Sequence, residues 1–223
     1  MSLQSSTSEF AVLAVTSLLV ACAPRESVES DYILAPYFSD SINADGFFEE
    51  SFWVNAPEYP LGNNSTVKFV ANEQGLIIGI SADNEVARYA DLYFALAGDH
   101  ILNLHASMQT GQRELRGNDW TDESPEWEWG RSSLWTASTT SMRPDASTDA
   151  PFHKTISSMD GYEFMIDYRL IGTGPWRMLI EYRDFVGHAQ DNVLPEYGSR
   201  MNSSEWIEVR VERSVAQATV SSH

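Results

Sequence analysis

Short runs in which apolar and polar residues alternate dominate this sequence from residue 31 onward. The alternation is clearest in residues 162–168, 176–183 and 206–212. Successive side chains of a β-strand point to opposite faces, so a period of two predicts strands with one buried face. Gly, Asn and Asp separate the runs, and helical periodicity is nearly absent. The pattern predicts an all-β domain, an antiparallel β-sandwich of the immunoglobulin-like or jelly-roll-like kind.

Two pairs of these runs are joined by turn sequences. Residues 66–70 and 76–81 flank an Asn-Glu-Gln-Gly turn, and residues 92–97 and 100–106 flank a Gly-Asp pair. Gly, Asn and Asp are the residues that tight turns favour, so both pairs predict β-hairpins. The chain has no internal repeat and no long linker. One β-sandwich domain is therefore expected over residues 31–213, followed by a flexible tail over residues 214–223.

One short helix is expected near the start of this domain. Residues 46–53 place Phe48, Phe52 and Trp53 on one side at helical spacing. Asp45 precedes them and is suited to cap the first turn. Phe48 and Phe52 are accordingly expected to be buried.

Charge and cysteine content exclude several classes of function. The chain has 223 residues, with 32 acidic residues against 14 basic ones and a net charge of −18. Such a chain repels phosphate backbones, so nucleic acid is not expected as a partner. A single cysteine excludes a disulfide framework and a cysteine-rich zinc site. The hydrophobic fraction of 43% is enough for a packed core.

The N-terminal residues resemble a bacterial lipoprotein signal. Residues 10–23 are uncharged, and their length is that of a signal-peptide core rather than of a membrane-spanning helix. They contain the sequence Leu-Val-Ala-Cys, which resembles the lipobox. In lipoproteins the peptide is cut before this cysteine, whose thiol carries the lipid. Cys22, the one cysteine of the chain, stands at that position.

This resemblance implies a signal peptide over residues 1–21, lipidation of Cys22 and a polar tether over residues 22–30. Ala23, rather than Asp, follows the cysteine. By resemblance to Gram-negative lipoproteins, this favours an anchor in the outer membrane, with the domain facing the periplasm or the exterior. The alternative is an apolar N-terminal helix or strand that packs on the domain, with Cys22 as a buried thiol.

The stretch 109–158 differs from the rest of the body. It is polar and rich in turn-forming residues, and it holds four of the seven tryptophans. Because a long insertion in a sandwich is usually functional or disordered, and tryptophans argue against disorder, we expect a long Trp-rich loop with a function. The other three tryptophans, Trp53, Trp176 and Trp206, lie in regular elements and are expected in the core or on a sheet.

Three stretches together resemble the family 9 carbohydrate-binding module and its superfamily of sandwiches. Residues 42–56 resemble the opening phrase of that family, with a hydrophobe, Asp-Gly and an acidic residue before Trp. Residues 66–83 resemble its strand–turn–strand that closes on Asp. Residues 161–172 resemble its late strand with an aromatic–Glu pair. The resemblance implies a β-sandwich that binds sugars without catalysing a reaction.

Sugar binding needs flat aromatic faces flanked by hydrogen-bonding groups, because a pyranose exposes both C–H edges and hydroxyls. The Trp-rich stretch supplies that mixture. Two of its tryptophans stand two residues apart and would share a face of an extended chain. The candidate ligand-binding residues are Trp120, Trp127, Glu128, Trp129, Arg131 and Trp135. In the alternative, these tryptophans cover the end of the sandwich and anchor the loop.

Calcium is the metal that the sequence favours. It binds carboxylate and carbonyl oxygens from loops, and Asp45, Asp83 and Asn84 stand near turns. The resembled family often carries structural calcium. A zinc site from His100, His105 or His153 is a weaker alternative, because His100 and His105 point to opposite faces of a flat strand.

Non-covalent haem and catalysis are further alternatives. Met108, Met142 and Met159 stand near His105 or His153 in the sequence and could serve as axial ligands. A Ser/His/Asp triad is geometric, so it leaves no sequence pattern to find. The chain lacks the usual serine-hydrolase, zinc-protease and nucleotide-binding motifs.

The sequence thus predicts a lipid-anchored, non-catalytic binding module of the cell envelope, with a saccharide or glycan-like ligand. The protein is expected to contact the membrane only through the lipid on Cys22. A structural or interaction protein of the envelope, with the same fold and no sugar site, is the alternative, and a haem-binding sandwich is the third.

Overall fold

The computed structural model describes residues 32–39, 42–62, 64–82, 88–107, 109–121, 132–138, 141–144, 154–157, 160–184 and 192–212. Its strands are β1 (Tyr32–Pro36), β2 (Glu58–Gly62), β3 (Ser65–Ala71), β4 (Gly75–Ala82), β5 (Arg88–Leu96), β6 (His100–Ala106), β7 (Thr110–Arg116), β8 (Asp119–Trp120), β9 (Trp135–Ala137), β10 (Ser141–Pro144), β11 (Lys154–Ser157), β12 (Gly161–Asp167), β13 (Trp176–Asp184), β14 (Asn192–Leu194) and β15 (Ile207–Glu212). Its helices are α1 (Ser51–Asn55), α2 (Tyr168–Ile171) and a 3₁₀ turn at Ser203–Glu205.

The strands form two main sheets and a separate hairpin of β10 and β11. An eight-stranded sheet runs in the order β1-β15-β13-β5-β6-β7-β8, with β14 paired to β13. A five-stranded sheet runs in the order β2-β3-β4-β12-β9. All pairings are antiparallel except that of β1 with β15. The all-β sandwich is therefore confirmed, with one parallel pair at an edge.

The main core lies between the two sheets. Alternation sends every second side chain of each strand inward, as the sequence pattern predicts. The five-stranded sheet contributes Val67, Phe69, Leu76, Ile78, Phe164 and Ile166. The eight-stranded sheet contributes Leu92, Phe94, Leu102, Leu104, Met178 and Ile180. Both predicted hairpins are present, as β3–β4 and as β5–β6.

Each sheet also has a small apolar cluster on its outer face. On the five-stranded sheet, Phe52 and Trp53 of α1 cover Val70 and Ile77. On the eight-stranded sheet, Tyr93, Ile101, Leu115, Leu179 and Trp206 pack together. Trp53, Trp176 and Trp206 are all buried, as expected. The outer faces are thus partly covered, and what remains uncovered decides where a ligand can bind.

The structure corrects the bounds of the predicted helix and adds a second one. The helix expected over residues 46–53 occupies only Ser51–Asn55, because Gly46 has φ 86° and the chain through Phe48 is not helical. Phe52 is buried as predicted, whereas Phe48 is only partly buried. A second helix, α2, ends where Gly172 has φ 75°, a conformation that favours glycine.

The long loop expected over residues 109–158 is also corrected, since β7 to β11 lie within that range. The strand β7 lacks an apolar run. Its Gln112 accepts the Trp135 indole N–H at 2.8 Å, and its Glu114 lies 2.8 Å from His100. Polar partners on the neighbouring strands therefore stabilise a strand that hydrophobic alternation alone does not show.

Candidate functional site

Several of the predicted functional positions lie outside the described residues. They are Cys22, Asp83, Asn84, Trp127, Glu128, Trp129 and Arg131. The signal peptide, tether and tail lie outside them as well, as do Met108, Met159 and His153 as candidate haem or zinc ligands. These assignments stay predictions. The described site residues are Trp120, Trp135 and Asp45, with the histidines of β6.

Trp120 lies on the outer face of the eight-stranded sheet. It is half-buried, and its ring meets the ring of Tyr93 edge-on with 6.2 Å between centroids. The Arg113 guanidinium carbon lies 4.4 Å from the Trp120 ring centroid, within the range of a cation–π contact. Thr121, the next residue, is held by three hydrogen bonds to the backbone of Glu114. The edge of the sheet thus presents an indole at the start of the Trp-rich segment.

A hydrogen-bonded network holds Arg113 in place beneath this indole. Arg113 Nε donates to Asn103 Oδ1 at 2.9 Å, and Asn103 Nδ2 donates to Asp91 Oδ1 at 3.2 Å. Asn103 and Asp91 are buried. Buried polar groups that satisfy one another are held rigidly, because leaving any one of them unpaired is costly. The guanidinium beside Trp120 is therefore pre-oriented.

Asp91, His105 and Ser107 form a second branch of the same network. His105 Nδ1 lies 3.0 Å from Asp91 Oδ1, and His105 Nε2 lies 3.1 Å from Ser107 Oγ. Carboxylate, imidazole and hydroxyl stand in the order that serine hydrolases use. However, the Ser107 hydroxyl also donates to the Gln109 carbonyl at 3.3 Å and accepts the Gln109 amide at 3.2 Å. The Ser107 hydroxyl is therefore fixed by its own turn. It holds His105, and His105 in turn holds the Asp91 carboxylate in position.

His100 and His105 are separated as the sequence predicts. His100 lies beside Glu114, and His105 lies beside Asp91 on the outer face. Hydrogen bonds from Arg116 and His100 lower the pKa of Glu114. In the part of the chain that the structure describes, no three His, Cys, Asp or Glu side chains converge as metal ligands. A zinc site from these two histidines is therefore not supported.

A second group of charges lies further along this sheet. Arg200 binds both carboxylate oxygens of buried Glu181. This contact with Glu181 raises the pKa of Arg200. Burial, followed by the charges of Asp91 and Glu181, raises the pKa of Tyr93. Arg200 and the neighbouring Tyr197, which is 85% exposed, belong to a loop that sequence reasoning did not single out.

Trp135 does not present its ring to solvent. It is 8% exposed and lies nearly parallel to Phe164 in the core, with 6.3 Å between ring centroids. The expectation of an exposed platform is wrong at this position, because β9 pairs with β12 in a register that points Trp135 inward. Its indole N–H bonds to Gln112 of the opposite sheet, so this tryptophan joins the two layers.

A cavity of about 170 Å³ lies next to Trp135, at one end of the five-stranded sheet. Met165 and Leu134, which are partly exposed, contribute apolar surface, and Met165 packs against the apolar cluster under α1. The polar residues that line it are Asn72, Gln74, Ser133, Thr136 and Asp167. None of these polar residues was predicted, because they stand in turns and at strand ends without a shared sequence pattern.

Asp45, the described member of the predicted calcium site, makes local hydrogen bonds. One of its carboxylate oxygens accepts the Phe47 amide at 3.1 Å, and the other lies 3.4 Å from Asn43 Nδ2. The Asp45 amide itself donates to Glu163 at 2.9 Å. Asp83 and Asn84 lie outside the described residues, so calcium binding stays a prediction.

No helix of the described chain is both long enough and apolar enough to span a membrane. The chain matches no protein family model and no curated protein sequence.

Two solved structures are similar to the chain. A family 9 carbohydrate-binding module from Caldicellulosiruptor kristjanssonii, in complex with cellotriose, is 12% identical with a TM-score of 0.47, over 83% of this chain and 96% of that one. A candidate carbohydrate-binding protein from Bacteroides uniformis is 7% identical with a TM-score of 0.48, over 81% of this chain and 99% of that one.

Proposed function

We propose that this protein is a non-catalytic carbohydrate-binding module that contacts its ligand at the edge of the eight-stranded sheet, around Trp120. The observation that carries the proposal is the contact between the half-buried Trp120 ring and Arg113, whose guanidinium carbon lies 4.4 Å from the ring centroid. An indole beside fixed hydrogen-bonding groups is the combination that sugar binding requires.

The network beneath Arg113 favours a binding role. A flexible arginine loses side-chain entropy when a ligand immobilises it, and that loss lowers affinity. Here Asn103 Oδ1 already fixes the Arg113 Nε group at 2.9 Å. Asn103 is in turn held by Asp91 and by the Leu92 carbonyl. Part of the entropic cost is thus met when the protein folds.

The charge of the chain favours a neutral ligand. A net charge of −18 disfavours polyanions such as acidic polysaccharides and nucleic acids. Trp127, Glu128, Trp129 and Arg131 follow Trp120 in the sequence. We propose them as further ligand contacts.

Calorimetric titration with neutral oligosaccharides of glucose, mannose, xylose and galactose tests the proposal. We expect at least one series to bind, and Trp120→Ala to weaken that binding by about thirtyfold, equivalent to roughly 2 kcal/mol. Tyr197→Ala is the matched control, because it removes an exposed aromatic ring from another loop. Absence of binding to every series would favour the envelope interaction protein instead.

We also propose that Cys22 carries a lipid that holds the module in the outer membrane. The resemblance of residues 19–22 to the lipobox supports the anchor. A protein expressed with a functional signal sequence should partition into the detergent phase and gain the mass of a diacylglyceryl group. A Cys22→Ser protein that stays equally bound to membranes would contradict the anchor.

A further inference from the structure

We propose that the cavity on the outer face of the five-stranded sheet binds a single uncharged pyranose unit, with the side-chain amide of Asn72 as a hydrogen-bond donor to it. The inference rests on the proposed function, since the ligand is of the same chemical class. It concerns a different surface, however, because Trp120 lies on the opposite sheet.

Asn72 is the residue that carries the inference. It lines the cavity and is only 7% exposed. Its Oδ1 atom accepts the Gln74 amide at 2.8 Å and the Gly75 amide at 3.0 Å, so the side chain is held in one orientation. The NH₂ group of the same side chain is therefore held in one orientation at the wall of the cavity. A donor that is already fixed in place loses little entropy when it binds a ligand oxygen.

The rest of the lining suits one face of a sugar ring. Met165 and Leu134, which are partly exposed, offer apolar surface for C–H groups. The side chains of Gln74, Ser133 and Thr136 stand around them and are exposed. An amide and two hydroxyls can both donate and accept, as ring hydroxyls do. The combination of an apolar patch and adaptable polar groups matches a pyranose.

The charge and the volume of the cavity limit which ligands can bind there. Asp167, the one ionisable residue that lines the cavity, is paired with Arg169, whose Nη2 lies 2.6 Å from Asp167 Oδ2. None of the described residues that line the cavity is basic, so an anionic sugar finds no counter-ion there. The volume of about 170 Å³ is below the roughly 300–1,000 Å³ of pockets that take drug-sized ligands. A single ring is the ligand of this class that fits.

Saturation-transfer NMR and calorimetry with methyl glycosides of glucose, galactose and mannose, and with glucuronic acid, test the inference. We expect at least one neutral glycoside to bind and glucuronic acid not to bind. Asn72→Asp keeps the Oδ1 acceptor but replaces the donor with a charged oxygen, so it should weaken binding at least tenfold. Thr136→Trp, at an exposed position on β9, should fill the cavity and have the same effect.

Asn202→Asp is the matched control. Asn202 Oδ1 also accepts local hydrogen bonds, at 3.3 Å from Ser204 N and 2.6 Å from Ser204 Oγ, and the change adds the same charge. Its glycoside binding should equal that of the wild type. If Asn72→Asp and Thr136→Trp bind glycosides like the wild type, the cavity site is wrong, even where Trp120→Ala abolishes oligosaccharide binding. If the wild type binds neither glycosides nor oligosaccharides, both proposals are overturned.

Discussion

The indole N–H of Trp53 donates a hydrogen bond of 2.7 Å to Oε1 of Glu163, a residue 110 positions further along the chain. The other oxygen, Oε2, accepts the backbone amides of Gly46 at 2.7 Å and Asp45 at 2.9 Å. One buried carboxylate on β12 therefore fixes both the turn before α1 and the principal aromatic residue of α1. The Asp-Gly pair, the Trp and the late Glu of the sequence thus form one structural unit.

This carboxylate makes stability depend on pH. Burial raises the pKa of Glu163 from 4.5 to about 7, against the lowering effect of its hydrogen-bond donors. Between these values the folded protein holds a proton that the unfolded chain has released. The contribution of Glu163 to stability is therefore fully present below about pH 4.5, and it is lost as the pH rises to about 7. We expect a loss on the order of 2–3 kcal/mol, measured by urea unfolding at pH 5 and pH 8.

Two variants isolate the contribution of Glu163 to this loss. Glu163→Gln cannot titrate, so its free energy of unfolding should change much less between pH 5 and pH 8. Glu50→Gln is the control. Burial also raises the pKa of Glu50, so it acts in the same direction, but the Trp53 indole N–H bonds to Glu163 and not to the Glu50 carboxylate. A Glu163→Gln protein that keeps the full pH dependence would show that other groups cause it.

Alternation and turn chemistry were sufficient to predict most strands of the sandwich. The hairpins β3–β4 and β5–β6 and the inward faces of β12 and β13 follow from them directly. The strand β7 could not be predicted, because its side chains are mostly polar on both faces, with Leu115 as the exception, and several are paired with neighbouring strands. Hydrophobic alternation reports burial against a core, whereas β7 depends mainly on specific hydrogen bonds to its neighbours.

The candidate site was harder to predict than the fold. Trp120 could be proposed as a ligand contact because it is an aromatic residue among polar ones in the sequence. Nothing in the sequence indicated that Trp135 points into the core, because the register of β9 on β12 decides this. Asn72 was visible only as a turn residue, since its burial and its place in the cavity wall depend on strands that lie far apart in the sequence.

The aromatic cluster under α1 is expected to contribute strongly to stability. Phe52 is buried, and its ring centroid lies 5.1 Å from that of Trp53 and 5.9 Å from that of Phe38. Phe52→Ala should lower the free energy of unfolding by roughly 3–5 kcal/mol, because it leaves a cavity that the neighbouring rings cannot fill. Val54 lies on the same helix and is exposed, so Val54→Ala should change stability by less than about 0.5 kcal/mol. Equal effects in thermal or urea unfolding would contradict the assigned packing.

Trp135 and Trp120 should respond differently to truncation. Trp135→Ala removes a buried ring and its bond to Gln112, so it should cost roughly 3–5 kcal/mol of folding stability. Trp120 is half-buried, so Trp120→Ala should cost clearly less and should act mainly on ligand binding. Urea unfolding of both variants measures the difference. A Trp135→Ala protein of wild-type stability would show that the indole is not part of the core.

The ion pair of Arg200 with Glu181 should stabilise the loop that crosses the eight-stranded sheet. Glu181 is buried, with a side chain only 4% exposed, and Arg183 is its other cationic neighbour, at 3.2 Å. Removing Arg200 leaves a buried carboxylate with one partner fewer, and breaking a buried pair in this way typically costs about 3–5 kcal/mol. Because Arg183 remains, we expect Arg200→Ala to cost on the order of 2–3 kcal/mol in urea unfolding.

Arg116→Ala provides the comparison for this pair. Its guanidinium is exposed, and its partner Glu114 keeps the contact with His100 after the change. Surface pairs of this kind contribute about 0–1 kcal/mol, so Arg116→Ala should scarcely alter stability. High salt should reduce the small effect at Arg116 and leave most of the effect at Arg200, because buried charges are screened less. If Arg200→Ala is as harmless as Arg116→Ala, the Glu181 carboxylate is not held as the structure indicates.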